Sequence, residues 1–103
     1  MNINNDATEL AKAVLRTGSD ERAIDLVANS AVGLKTDGAN YATMEAFYIQ
    51  FLQEVDTMIA ALEISADFDP KASSQLGKMR VAKVQANEML PAIRQAADDE
   101  RKS

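Results

Sequence analysis

Apolar residues recur at helical spacing along four segments of the chain, and short polar stretches with glycine or proline separate these segments. The longest segment covers about 41–64. With about 100° of rotation per residue, its apolar side chains share an arc of roughly 140°. An arc of this width predicts an α-helix that is buried on two sides. The arc contains Tyr41, Met44, Phe47, Tyr48, Phe51, Leu52, Val55, Met58, Ile59 and Leu62.

Two shorter helices are predicted on the N-terminal side, over about 6–16 and 20–32. Their apolar stripes are narrow and rich in alanine. We expect Gly18 and Gly33 to end them, because glycine readily takes the left-handed conformation that follows a helix. Ser19 is a suitable N-cap for the second helix, since its hydroxyl can accept a hydrogen bond from a free backbone N–H.

A fourth helix is predicted over about 70–97. Asp69 as N-cap and Pro70 at the first helical position are a common start signal. Pro91 lacks a backbone donor, so we expect a kink there or a division into two pieces. Small core residues on this helix let a neighbour with large rings approach closely. The predicted core positions are Ala72, Leu76, Met79, Ala82, Ala86, Leu90, Ile93 and Ala97.

The two long segments are predicted to form an antiparallel hairpin, because the connection SADFD between them is short. Over residues 36–70 the chain has seven acidic residues and no lysine or arginine, whereas over 71–94 it has five basic residues and one acidic residue. The expected register places Glu54 opposite Lys78 and Asp56 opposite Arg80. Surface pairs contribute only ~0–1 kcal/mol each, so they select the register more than they stabilise the fold.

These features predict one all-α domain over residues 1–103. It is a small four-helix domain centred on the long hairpin, with the two short helices packed on it and with 1–5 and 98–103 frayed. The size, acidity and hairpin-centred architecture resemble those of small helical secretion substrates of the WXG type. The chain has no tryptophan and therefore no W-x-G turn, so the resemblance concerns architecture and implies no function.

Composition narrows the classes of function. The chain has no cysteine and no histidine, which removes the thiolate ligand, the commonest metal ligand and the commonest general base. The net charge of −5 disfavours direct binding to nucleic acid, which requires basic surface. The polar start MNINNDATEL lacks the pattern of a secretory signal, and no apolar run approaches the ~20 residues of a membrane span. We therefore expect a cytoplasmic protein, with export by a route without a cleaved signal as the alternative.

Two motifs suggest chemistry but lack required residues. In VGLKTDG the first glycine of a phosphate-binding loop is absent, and no strand precedes it. In DFDPKASSQLGK, Ala72 and Lys78 stand where a calcium loop needs glycine and a bidentate glutamate. The cluster Asp98, Asp99 and Glu100 is better explained as a solvated tail than as a metal site. We predict no catalytic residue, no cofactor and no metal.

The candidate partner-binding residues fall into three groups. The outer edge of the apolar arc needs a cover, either from the two short helices or from a second chain. An acidic edge of the same helix could face a basic surface, although a charge run is usually a solvated face. Two valines lie opposite the stripe of the fourth helix, where they could contact the short helices, solvent or a partner. These residues are Tyr41, Tyr48, Leu52 and Ile59; Glu45, Asp56 and Glu63; and Val81 and Val84.

Three functions fit this pattern. The first is a non-enzymatic protein-binding module, such as an adaptor, chaperone or inhibitor that masks a surface of another protein. The second is a self-associating structural subunit of a phage or secretion assembly, for example a homodimer. The third is an acidic antagonist that mimics phosphate towards a nucleic-acid-binding protein. An enzyme is disfavoured by the absence of histidine and cysteine. The expected partner is another protein, not nucleic acid or a membrane.

Overall fold

The computed structural model describes residues 3–102, with side chains from residue 5 onward. Within that range the chain forms four α-helices and no strand. The all-α class predicted from the sequence is therefore confirmed. The helices are α1 (Ile3–Arg16), α2 (Asp20–Thr36), α3 (Tyr41–Ser65) and α4 (Pro70–Lys102).

Helices α3 and α4 pack against each other as an antiparallel hairpin and make the most extensive helix–helix contact. The apolar arc of α3 faces the core as predicted: Met44, Phe47, Tyr48, Phe51 and Val55 are buried. The other five arc residues are partly buried and pack against this core. All eight predicted core positions of α4 are buried as well, so the pairing of an aromatic stripe with an alanine-rich stripe is confirmed.

Helix α1 packs mainly on α3, and α2 packs mainly on α4. Ala7, Ala11 and Val14 are the fully buried residues of α1, and Ala23 and Val27 those of α2. The two short helices make little contact with each other. Helix α1 therefore covers the part of the α3 arc that α4 leaves open, while α2 covers α4.

Helix α2 does not end at Gly33, as the sequence predicted, but continues to Thr36. The extension brings Leu34 into the core with 7 % exposure. Burying a leucine stabilises by about 1.5–3 kcal/mol, more than the ~1 kcal/mol that a helical glycine costs relative to alanine. The helix ends instead before Gly38, which has a φ of 90° and donates to the carbonyl of Lys35.

Helix α4 is one element and is not divided at Pro91. The proline is exposed, while Leu90 and Ile93 on either side of it are buried. Packing on both sides thus holds the helix across the missing backbone donor. Helix α1 begins at Ile3 and α4 continues to Lys102, so both helices extend into the ends for which fraying is predicted. Residues 1, 2 and 103 lie outside the described part of the chain.

The register of the hairpin differs from the predicted one. The Nζ atom of Lys83, rather than a group on Arg80, lies 2.7 Å from Oδ1 of Asp56. Glu54 accepts a hydrogen bond from Gln50 on its own helix instead of pairing with Lys78. The predicted register assumes a turn centred on the middle of the linker and charged side chains that pair straight across the hairpin. In the structure the charged side chains instead reach along the hairpin.

Side-chain caps stabilise the starts of three helices, and two of these caps, Ser19 and Asp69, are predicted from the sequence. Ser19 accepts from the backbone N–H of Arg22, Asn40 from that of Thr43, and Asp69 from that of Lys71. None of the helices, as far as the structure describes them, combines the length and the apolar character needed to cross a membrane.

Candidate protein-binding surfaces

The outer edge of the α3 arc is mostly covered by the protein itself. Tyr48 is fully buried, so its prediction as a partner-contact residue is wrong. Leu52 and Ile59 are partly buried and pack against the core. Tyr41 is the member of this group that reaches an open surface. The arc is wide because two sides of α3 face other helices. The sequence pattern alone cannot distinguish an edge covered in this way from a partner site.

A short hydrogen-bond relay explains how a tyrosine is accommodated in the core. The hydroxyl of Ser30 donates to the carbonyl of Val27. It therefore accepts from the hydroxyl of Tyr48, with which it is also in contact. Burial raises the pKa of Tyr48 above its ordinary value, and Ser30 opposes this shift in part because its hydroxyl can turn to donate to the phenolate. The relay joins α2 to the N-terminal half of α3.

The three carboxylates of the predicted acidic edge do not form one continuous free surface. Glu45 contacts Arg94 at 3.4 Å and Arg101 at 3.0 Å, and Asp56 contacts Lys83. The hydrogen bond to Glu45 is the main reason why the pKa of Arg101 is raised further. Two of the three carboxylates are thus partly neutralised by α4.

Glu63 lies at the far end of the hairpin, beside a polar pocket of about 370 Å³ that is also lined by Ser73 and Arg80. The two candidate valines of α4 differ in exposure. Val81 is partly buried against the core, while Val84 is 57 % exposed. The structure therefore does not bring the predicted site residues together into one patch.

An open apolar groove lies between the C-terminal part of α2 and the middle of α4, and it is called the α2–α4 groove below. Its volume is about 480 Å³. Val32, which is 67 % exposed, stands at its rim, and the ammonium group of Lys35 lies 3.9 Å from the centre of the Tyr41 ring. The lining residues are Ala31, Val32, Lys35, Thr36, Tyr41, Met44, Met89, Ala92 and Ile93.

A second apolar feature is the hairpin tip, defined as residues 63–71. Ile64 and Phe68 are 79 % and 78 % exposed there. The turn itself is ordered by hydrogen bonds, because the backbone N–H groups of Phe68 and Asp69 both donate to the carbonyl of Ser65. The exposed rings and methyl groups are thus presented on a defined turn.

The opposite end of the hairpin is closed by α4. The carboxylate of Glu100 accepts from the backbone N–H groups of Tyr41 and Ala42, at 2.9 and 3.2 Å. It supplies the negative charge that the first turn of α3 lacks. The predicted tail cluster therefore has a structural role, in which Glu100 caps α3 and Asp98 pairs with Arg101.

Charged side chains lie at the surface throughout the described part of the chain. From residue 5 to residue 102, no polar or charged residue is buried. Within the same part of the chain, no three carboxylates lie close enough to hold a metal ion. Exposed apolar features in this part of the chain include the lining of the α2–α4 groove and the side chains of the hairpin tip.

Sequence reasoning missed most of the groove and the tip. The sequence pattern places Val32 at a helix end and Lys35 in a linker, because Gly33 is a typical stop signal. Phe68 stands alone in a polar turn, and Ile64 lies off the core arc of α3. Val32, Ile64 and Phe68 share one signal in the sequence, a large apolar side chain that lies outside every predicted helical stripe. No family model, curated protein or solved structure matches the chain.

Proposed function

We propose that the protein is a non-enzymatic protein-binding module, an adaptor, chaperone or inhibitor that acts by occupying the surface of another protein. The α2–α4 groove carries this proposal. It is open, contiguous and apolar, and its rim residue Val32 is 67 % exposed. Concave apolar clefts with a few polar groups are common binding sites in proteins. A cytoplasmic location for the complex stays a prediction from the sequence.

The shape of the groove favours a protein over a small molecule as its occupant. It is formed by α2, α4 and the start of α3 and is open to solvent, so a helix or a turn with large apolar side chains could lie in it. Two of its partly exposed lining side chains, those of Tyr41 and Met89, belong to the types enriched at protein interfaces. Methionine also adapts its shape to a partner, which suits a masking surface.

A structural subunit that self-associates is the second candidate function. The hairpin tip supports it, because Ile64 and Phe68 form a second exposed apolar feature on the same molecule. An acidic antagonist has less support, since Glu45 and Asp56 are paired with basic groups of α4. We therefore rank the phosphate-mimic function third.

The first proposal is tested by photo-crosslinking from two matched positions. A photoreactive phenylalanine analogue replaces Val32 at the groove in one variant and Val84 on another part of α4 in the second. Both sites are exposed valines. In the native host we expect a distinct crosslinked protein from position 32 and none from position 84.

The same partner should lose its binding when Val32→Glu places a charge at the rim of the groove, while the melting temperature stays unchanged. Surface substitutions of this kind usually change stability by less than about 0.5 kcal/mol. Identical crosslinks from both positions, or full binding by the Val32→Glu variant, would contradict the assignment of the groove.

A further inference from the structure

The hairpin tip is an unusual surface for a protein to leave uncovered. Ile64 and Phe68 are the two most exposed large apolar side chains in the described part of the chain, at 79 % and 78 %. They stand four positions apart on an ordered turn. Exposed aromatic side chains held in a fixed geometry are typical anchors at protein interfaces.

The groove has complementary properties. Its lining is apolar, and Lys35 is the one charged residue among the described residues that form it. The tip has three carboxylates, on Glu63, Asp67 and Asp69, against one lysine. Arg80 lines the same pocket as Glu63 and Asp67, so the net charge at this end of the hairpin is −1 when Arg80 is counted, opposite in sign to that of the groove. Opposite charge beside apolar contact steers two surfaces together and fixes their orientation.

A tip cannot reach the groove of its own chain. Pro70, next to the tip, and Ile93, in the groove, lie 23 positions apart on the single helix α4. At 1.5 Å per residue this separation is about 35 Å. Since α4 is continuous, the tip and the groove stay at this distance within one molecule, and any contact between them joins two copies.

We propose that the hairpin tip of one copy inserts Phe68 and Ile64 into the α2–α4 groove of a second copy, with the acidic groups of the tip facing Lys35. The proposal rests on the proposed function, because it uses the same groove and names its occupant. The contact joins two different surfaces. Each pair of molecules therefore still has one free tip and one free groove, and association continues head to tail unless it closes into a ring.

The test uses two variants that each remove one half of the contact. Ile64→Ser with Phe68→Ser removes the apolar anchors of the tip, and both positions are exposed. Val32→Glu places a negative charge at the groove. Val84→Glu is the control, since it makes the same change at another exposed valine. The mass of each protein is measured against concentration by analytical ultracentrifugation.

The natural protein and Val84→Glu should show a mass above one chain that rises with concentration. The tip variant and the groove variant should each associate at least about tenfold more weakly, as expected for the loss of central anchors. Mixed together, they should form a one-to-one complex that grows no further, because the mixture contains one intact tip and one intact groove per pair.

A natural protein that stays monomeric at high concentration would overturn the proposal, as would association that survives in both variants. Loss of association in Val84→Glu would also overturn it, because the contact would then involve a different face of α4. If the natural protein is monomeric but position 32 still crosslinks to a host protein, the tip-to-groove contact fails and the protein-binding function stands.

Discussion

At the scale of single residues, the core is apolar except for one hydroxyl pair. The relay from Tyr48 through Ser30 to the carbonyl of Val27 satisfies a buried phenol without charge. A buried donor without a partner costs about 1–3 kcal/mol, whereas the pair as formed contributes only about 1 kcal/mol. The relay therefore specifies where α2 lies relative to α3 more than it stabilises the fold.

The relay makes a prediction about alkaline pH. The folded-state pKa of Tyr48 is raised, so the unfolded chain loses its proton first as the pH rises. The stability that results is fully present below the unfolded pKa of about 10 and is lost as the pH rises through the folded-state pKa. Tyr48→Phe should be about 0.5–1.5 kcal/mol less stable at neutral pH but should lose less stability than the natural protein above pH ~10.

Denaturant unfolding of both proteins across this pH range measures the effect. Other groups that titrate there are common to both and cancel in the difference. Curves that stay parallel from neutral to alkaline pH would show that Tyr48 is not the titrating group.

At the scale of helices, the end of α2 depends on two glycines in different conformations. Gly33 is helical, and a Cβ atom added to it meets no atom within 4 Å. Gly38 has a φ of 90°, which side-chain-bearing residues rarely adopt. The first glycine weakens the helix, whereas the second one is needed to end it.

The same substitution should therefore have opposite effects at the two positions. Gly33→Ala should raise the free energy of unfolding by about 0.5–1 kcal/mol, because alanine favours the helix and restricts the unfolded chain. Gly38→Ala should lower it by about 1–2 kcal/mol through backbone strain. Thermal or urea unfolding of the two variants measures these changes. A change of the free energy of unfolding in the same direction in both variants would contradict the assigned end of α2.

The sequence was sufficient for the long elements and insufficient for their borders. Stripes such as the eight core positions of α4 follow directly from helical periodicity, because each side chain faces one neighbour. The extension of α2 to Leu34 depends on tertiary burial, which outweighs the local preference of Gly33. The groove combines residues of α2, α3 and α4, so no single stripe could indicate it.

At the scale of the whole molecule, the hairpin is longer than its cover. Helix α4 has 33 residues, whereas α1 and α2 have 14 and 17. The molecule extends 53 Å along its long axis and 23 and 21 Å across it. Helix α2 begins at Asp20, whose carboxylate lies beside Gly77 of α4. Between Gly77 and the turn, α3 and α4 are covered only by each other, so the hairpin tip extends beyond the short helices.

This unequal cover has a consequence for local opening of the chain. Full burial on α3 ends at Val55, so 56–65 and 70–78 can separate without disturbing the core between Met44 and Phe51. Their backbone amides should exchange hydrogen through a partial opening of lower free energy and weaker denaturant dependence than those of 44–55. Residue-resolved exchange by NMR measures this, and equal protection along all of α3 would show that the hairpin opens only as one unit.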